Sequence, residues 1–215
     1  MRLLHIVQGF LIVAPLVKYQ TILLFGAPGS GKGTQGKVLG SIPGFYHCAC
    51  GDVFRSLDLQ SDLGKVFLEY SSRGELVPDD VTVKLWANQI DKVVSAGRFH
   101  PSSDLLVLDG LPRNTAQAEM VRDKLDILRL YHLTCPDRAK LVERLKRRAL
   151  KDNRYDDANE QVITHRLQTY EDETKPVLDF YGEERICHVD ATQLPYKVLS
   201  DILKDFSQTT LRGSK

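Results

Sequence analysis

Residues 21–35 read Thr21-Ile22-Leu23-Leu24-Phe25-Gly26-Ala27-Pro28-Gly29-Ser30-Gly31-Lys32-Gly33-Thr34-Gln35. A short apolar run leads into a glycine-rich loop, and the loop leads into a helical pattern. This order suits the grip of a phosphate chain, which needs several backbone N–H groups at close range. Glycines at 26, 29, 31 and 33 let the backbone wrap an anion without Cβ clashes. The helix behind the loop adds N–H groups without intrahelical partners and the positive end of its dipole. Lys32 is placed to reach the outer phosphates of a nucleotide. The spacing G-x-x-x-x-G-K is complete from Gly26 to Lys32, but the next residue is Gly33 rather than serine or threonine. The hydroxyl that usually meets Mg²⁺ is thereby displaced to Thr34. The loop predicts contacts to the phosphates of a nucleotide through Gly29, Ser30, Gly31, Lys32, Gly33 and Thr34.

Outward from this loop, apolar runs alternate with longer amphipathic ones. Strands are expected at 21–26, 45–49, 104–109, 129–133 and 185–190, and helices at 33–40, 52–58, 61–72, 79–97, 114–126, 137–150, 159–181 and 196–206. Asp79 and Asp137 are expected to be N-caps. Regular alternation of strand and helix implies a parallel sheet covered on both faces. Ligands of such sheets sit beyond the carboxyl ends of the strands. The glycine loop, Gly51-Asp52 and Asp109-Gly110 all fall at strand ends and so should converge on one cleft.

The 215 residues suffice for one domain with a sizeable core or one domain with insertions. Charge is balanced, 29 Lys and Arg against 28 Asp and Glu, which argues against a broad nucleic-acid footprint. The four cysteines, at 48, 50, 135 and 187, include no second close pair to complete a zinc site, and reduced buried thiols are expected. Leu3 to Val17 is mostly apolar but is interrupted by His5, Gln8, Gly9 and Pro15, too short and broken for a membrane span. Residues 1–18 are read as an extension. The alternatives are a membrane or targeting segment and an artefact of an upstream start.

Further along, Gly51-Asp52-Val53-Phe54-Arg55, Gly74-Glu75-Leu76-Val77-Pro78-Asp79-Asp80, Asp109-Gly110-Leu111-Pro112-Arg113 and Gln117 follow in turn, and Arg148, Arg154 and Arg166 complete an arginine series. With the glycine loop, these motifs make the chain over about residues 20–207 resemble the adenylate kinases and close nucleoside monophosphate kinases. The resemblance implies a P-loop three-layer α/β sandwich with a parallel five-stranded sheet. Its implied organisation is an N-terminal extension (1–18), core (19–49), a monophosphate-binding segment (50–78), core (79–148), a short lid (149–158), core (159–207) and a tail (208–215). The stretch between Arg148 and Arg154 leaves no room for the β insertion of long-lid members, so the resemblance is to the short-lid type and no structural zinc is expected.

The implied reaction is Mg²⁺-dependent phosphoryl transfer from ATP to AMP, giving two ADP. That chemistry calls for alignment and charge stabilisation rather than a nucleophile, and guanidinium forks match phosphate oxygens. By resemblance, Arg55 and Arg113 hold the acceptor phosphate, and Arg154 and Arg166 lie between donor and acceptor. Arg148 and Gln193 sit near the donor, Gln193 where the family usually has glycine. Lys32, Arg113, Arg154 and Arg166 are the expected catalytic set. Cys50, Glu75, Leu76, Val77, Gly110 and Gln117 complete the AMP site. Asp109 would orient Mg²⁺ through water. Asp156 and Asp157 would tie the lid to its arginines, whereas Lys146 and Arg147 are read as a solvated helix face. Cys50 stands where adenylate members usually carry threonine and UMP/CMP kinases alanine, so a kinase for another monophosphate stays open, as does a nucleotide-binding regulator without turnover. The expected protein is a monomer that acts on small nucleotides without nucleic-acid partners. Its compartment is the cytoplasm, or an organelle or membrane if residues 1–18 act as a targeting segment.

Overall fold

A computed structural model describes residues 18–152, 154, 157 and 159–213. Among them, five parallel strands form one sheet in the order β2-β3-β1-β4-β5, with β1 at Tyr19–Phe25, β2 at Phe45–Ala49, β3 at Leu105–Asp109, β4 at Leu125–Thr134 and β5 at Ile186–Asp190. The strand that feeds the glycine loop therefore lies in the middle. Its five last residues are buried, as are all five of β3. Such strands need apolar residues on both faces, which is why they read as continuous runs rather than alternating ones.

Successive residues of β1 serve opposite faces. Leu23 and Phe25 pack with Leu106 and Leu108 against Trp86, Ile90 and Val93 of α4 (Asp79–Ser95). Ile22 and Leu24 pack with Val107 and Leu133 against Leu39 of α1 (Lys32–Leu39) and against Val198 and Ile202 of α9 (Pro195–Gly213). Two apolar layers thus clamp the sheet and fix its strand ends. Gln35 Nε2 also donates to Pro195 O at 3.0 Å, tying α1 to α9.

The remaining helices are α2 (Cys50–Arg55), α3 (Asp62–Arg73), α5 (Thr115–Val121), α6 (Arg138–Asp152), α7 (Glu160–Thr169) and α8 (Val177–Tyr181). The helix expected over 52–58 starts at Cys50, directly on the end of β2, and stops at Arg55. The helix expected over 159–181 is broken. Asn159 caps it, Glu160–Thr169 form α7, a π turn follows at Tyr170–Thr174, and Pro176 precedes α8, since proline cannot supply an amide N–H. The helix expected to reach 126 ends at Val121, and β4 begins at Leu125 rather than 129. The last helix runs on through Gly213, past the expected end at 206 and into the expected tail.

Asp137 caps α6 as expected, with its carboxylate accepting from Lys140 N at 3.1 Å. Asp79 does not cap α4. Pro78 holds that position, and Asp79 instead accepts from Asn114 Nδ2 at 2.9 Å and Gln117 Nε2 at 2.7 Å. A carboxylate with two side-chain amides in reach is satisfied across the fold rather than along its own helix. Among the described residues, no helix is long and apolar enough to cross a membrane; residues 1–17 lie outside them.

Candidate functional site

At the carboxyl ends of β1, β2 and β3 opens a cleft of about 750 Å³. The glycine loop is its floor. Gly26 turns out of β1 with φ 140°, and a Cβ there would stand 2.5 Å from Leu133 O, so only glycine lets the loop leave the sheet beside β4. Gly31 stands at the N-cap of α1, which has no side-chain cap and no acidic residue in its first turn. The helix start is thus left electropositive for an anion. Ser30 Oγ is buried and makes no hydrogen bond within the described protein. Lys32 Nζ lies back over the loop, donating to Gly26 O at 2.7 Å and Ala27 O at 3.2 Å. Burial lowers its pKa, Asp109 opposes, and Arg113, Arg148 and Arg166 lower it further, to about 8.

Every residue singled out from the sequence for donor, acceptor, catalytic or Mg²⁺ contact lines this one cleft. On the side of β3, Arg113 sits just beyond the strand, with Nε donating to Gly110 O at 3.0 Å and its backbone N donating to Gln117 Oε1 at 2.8 Å. Those contacts aim its remaining guanidinium nitrogens. Gln117 is almost fully buried, and with Asp79 on its Nε2 both ends of its amide are engaged by the protein. Glu75 lines the cleft but pairs with Arg73 at 2.9 Å. Cys50 opens α2 and is 1% exposed; burial pushes its thiol up to about 11, so it stays a neutral wall group. Stacked rings of Phe54 and Phe67, 5.3 Å apart, hold α2 on α3.

Between the two sides stand the arginines of α6 and α7. Asp157 is fully buried and binds Arg148 at 2.6 Å and also Arg166, so one carboxylate orients two guanidiniums that border the cleft. Asp156, the other half of the expected pair, lies outside the described residues. Arg154 reaches Asp52 at 3.3 Å, and Asp52 also holds Arg55 at 2.6 Å. Lys146 and Arg147 are exposed and pair with Glu160 and Glu143. Gln193 lines the cleft, and its Nε2 donates to Asp190 O at 3.1 Å and to Asp201 at 2.9 Å.

Sequence reasoning gave no role to Asp52, Arg144 or Tyr170. Arg144 borders the cleft and donates to Ala191 O at 3.0 Å. Its helical spacing, four residues before Arg148, was the one available signal. Asp109 ends β3 almost fully buried, and its Oδ2 would be 3.7 Å from a Cβ on Gly33. One carboxylate against the glycine loop fits a cation that keeps much of its water and takes few ligands from the protein. Among the described residues, no group of three or more His, Cys, Asp or Glu is placed to hold a metal by itself.

The sequence model of the adenylate kinase family matches residues 24–186. A curated adenylate kinase from Cyanothece sp. is 37% identical over 203 residues, covering 90% of this chain and 97% of its own. One from Thermobifida fusca is 38% identical over 168 residues, covering 74% and 83%, and one from Flavobacterium psychrophilum is 32% identical over 194 residues, covering 86% and 98%.

Proposed function

Because the chain belongs to the adenylate kinase family of phosphotransferases, we propose that it moves the γ-phosphoryl group of ATP onto an oxygen of the AMP phosphate, leaving two ADP. The observation that carries this reading is the sharing of one cleft by two anion-binding sets. The glycine loop with Lys32 forms one, and Arg55 with Arg113 forms the other.

ATP lies with its phosphates on the loop amides and the α1 N-terminus. Lys32 turns from the loop carbonyls to the outer phosphates. Arg113 clamps the AMP phosphate with a fork that its contacts to Gly110 and Gln117 hold in place. Arg154 and Arg166 meet the equatorial oxygens, where negative charge spreads in the transition state. Asp109 and Thr34 are the residues that would hold Mg²⁺, which when bound neutralises phosphate charge. Cover over the cleft from segment 50–78 excludes water, which otherwise competes with AMP for the phosphoryl group; part of the expected lid, 149–158, lies outside the described residues.

Two features support a second reading, transfer to UMP or CMP. Cys50 is a weak hydrogen-bonding group, and the Gln117 amide is already engaged at both ends. ADP formation from ATP, measured in parallel with AMP, CMP, UMP and GMP, decides between them. Turnover with AMP at least about tenfold above the others, worth ~1.4 kcal/mol, is expected. Preference for a pyrimidine monophosphate would select the second reading, and no turnover with any acceptor would leave a nucleotide-binding regulator.

A further inference from the structure

Strand register places His132 of β4 beside His188 of β5, with their Nδ1 atoms 3.0 Å apart. On the outer side, His188 Nε2 lies 3.1 Å from the Glu183 carboxylate. On the inner side, His132 Nε2 lies 3.0 Å from the Tyr170 hydroxyl. Glu183 has a side chain 79% exposed, whereas Tyr170 is buried and borders the cleft. Four side chains thus form one hydrogen-bonded line from solvent to the cleft. Tyr170 follows Arg166 by one helical turn on the same face. It also opens the π turn, a distortion that re-aims side chains and recurs at functional sites. Phe25 packs against both His132 and Tyr170, at 6.1 and 6.2 Å between ring centres, so the line runs directly behind the start of the glycine loop.

With His132 neutral, two proton arrangements satisfy every link; a charged His132 would satisfy them too, but burial of that ring disfavours its charge. A carboxylate accepts and cannot donate, so His188 carries a hydrogen on Nε2. With His188 neutral, its Nδ1 accepts, His132 donates from Nδ1, and the Tyr170 hydroxyl donates inward to His132 Nε2. With His188 charged, its Nδ1 donates instead. His132 must then accept at Nδ1, hold its hydrogen on Nε2 and donate to the Tyr170 oxygen. The Tyr170 hydrogen is released from the ring behind it.

We propose that His132 and His188 are positioning residues that set the direction in which the Tyr170 hydroxyl donates, and that it donates to a nucleotide phosphate oxygen in the cleft when His188 is charged. The proposal rests on the cleft being the nucleotide site argued above. One proton is taken up in the change. His132 passes its Nδ1 proton to His188 and takes the Tyr170 proton on Nε2, and the Tyr170 oxygen is reprotonated from the cleft. Burial, then His188 and Lys175, push His132 down to about 4, so the inner ring stays neutral. Glu171, ion-paired to Lys175 at 2.7 Å, and Lys32 are the other charged groups around His132; Glu183 is the one against His188.

The test is nitrogen NMR of the full chain labelled at histidine, with His132→Asn and His188→Asn used for assignment. The ring-nitrogen shifts show which atoms carry hydrogen. As the pH is lowered, the His132 hydrogen should pass from Nδ1 to Nε2. A His132 ring that keeps one tautomer across that titration overturns the proposal. In kinetics, kcat/KM for ATP should change about two- to tenfold as the second arrangement replaces the first on lowering the pH, the worth of one hydrogen bond. Tyr170→Phe and His188→Asn, the latter placing an amide that cannot be charged near the Nδ1 position, should both abolish that step while melting near the wild-type temperature. A step that survives in Tyr170→Phe removes the hydroxyl from the site. The NMR measurement needs no turnover, so a chain that shows the tautomer exchange but forms no ADP refutes the functional reading and leaves the hydrogen-bonded line standing.

Discussion

The Asp52 carboxylate lies 3.3 Å from the Arg154 guanidinium, which joins the segment after β2 to the stretch beyond α6 across the mouth of the cleft. Burial would raise the Asp52 pKa, but the hydrogen bond and charge of Arg55, then Arg154 and Lys37, outweigh it and hold the carboxyl below its usual value. Asp52 is therefore an anion throughout the neutral range. Asp52→Asn should leave both arginines without their shared counter-charge. An acceptor KM raised about threefold to tenfold is expected, in line with ~1 kcal/mol for a partly exposed pair. Hydrogen exchange should quicken in 50–78. Unchanged KM and exchange would reduce the bridge to an incidental surface contact.

Lys32 should impose a pH limit on the free enzyme. An ammonium is charged below its pKa and neutral above it, so with a pKa of about 8 the loop loses its cation as pH rises past that value. The ratio kcat/KM for ATP reports free-enzyme groups and should fall about tenfold per unit on the alkaline side. Bound phosphates retain the proton, so kcat should stay level over the same range. Lys32→Ala should cost more than about tenfold in kcat, or ~1.4 kcal/mol, in a folded protein.

Arg113→Lys keeps the charge and loses the fork. It also loses the Nε that Gly110 O accepts at 3.0 Å, so the remaining cation is no longer aimed. Acceptor KM should rise at least about tenfold and kcat should fall, with ATP affinity unchanged. An unaltered acceptor KM would move Arg113 out of the phosphate site.

Gly26→Ala should destabilise the whole sheet. The new Cβ would stand 2.5 Å from the Leu133 carbonyl in a backbone conformation with φ 140°, and neither the strand nor the loop can move without breaking pairs. A loss of more than ~2 kcal/mol is expected. In a chain of this size that lowers Tm by roughly 4–8 °C. A variant that melts with the wild type would mean the loop relaxes freely.

What could be read from the sequence was local. The glycine loop, the strand ends and the arginine series are each short patterns with a chemical reason for their spacing, and they converge on the cleft. Side chains that meet through strand order were not legible. His132 and His188 are isolated letters until β4 and β5 are placed in register. Asp52 and Arg154 are 102 residues apart and gave no hint of their contact. Asp79 had the right type and place for a cap, but the amides of Asn114 and Gln117 competed for its carboxylate. The early start of β4 was hidden because Asp126 interrupts its apolar pattern; Arg129, inside the expected strand, is held by Asp205 of α9 at 2.8 Å and by Glu184 O at 2.9 Å.

The central place of β1 also dictates when the site can come into being. Its two hydrogen-bonded neighbours are β3 and β4, which begin at Leu105 and Leu125. A nascent chain that has already presented the whole glycine loop still has no strand on either side of it. The loop thus acquires its shape only after some hundred further residues have been synthesised, and closing so long a segment makes pairing slow. During that interval the apolar run Ile22-Leu23-Leu24-Phe25 has only the helices that precede β3 to cover it and no strand to pair its backbone.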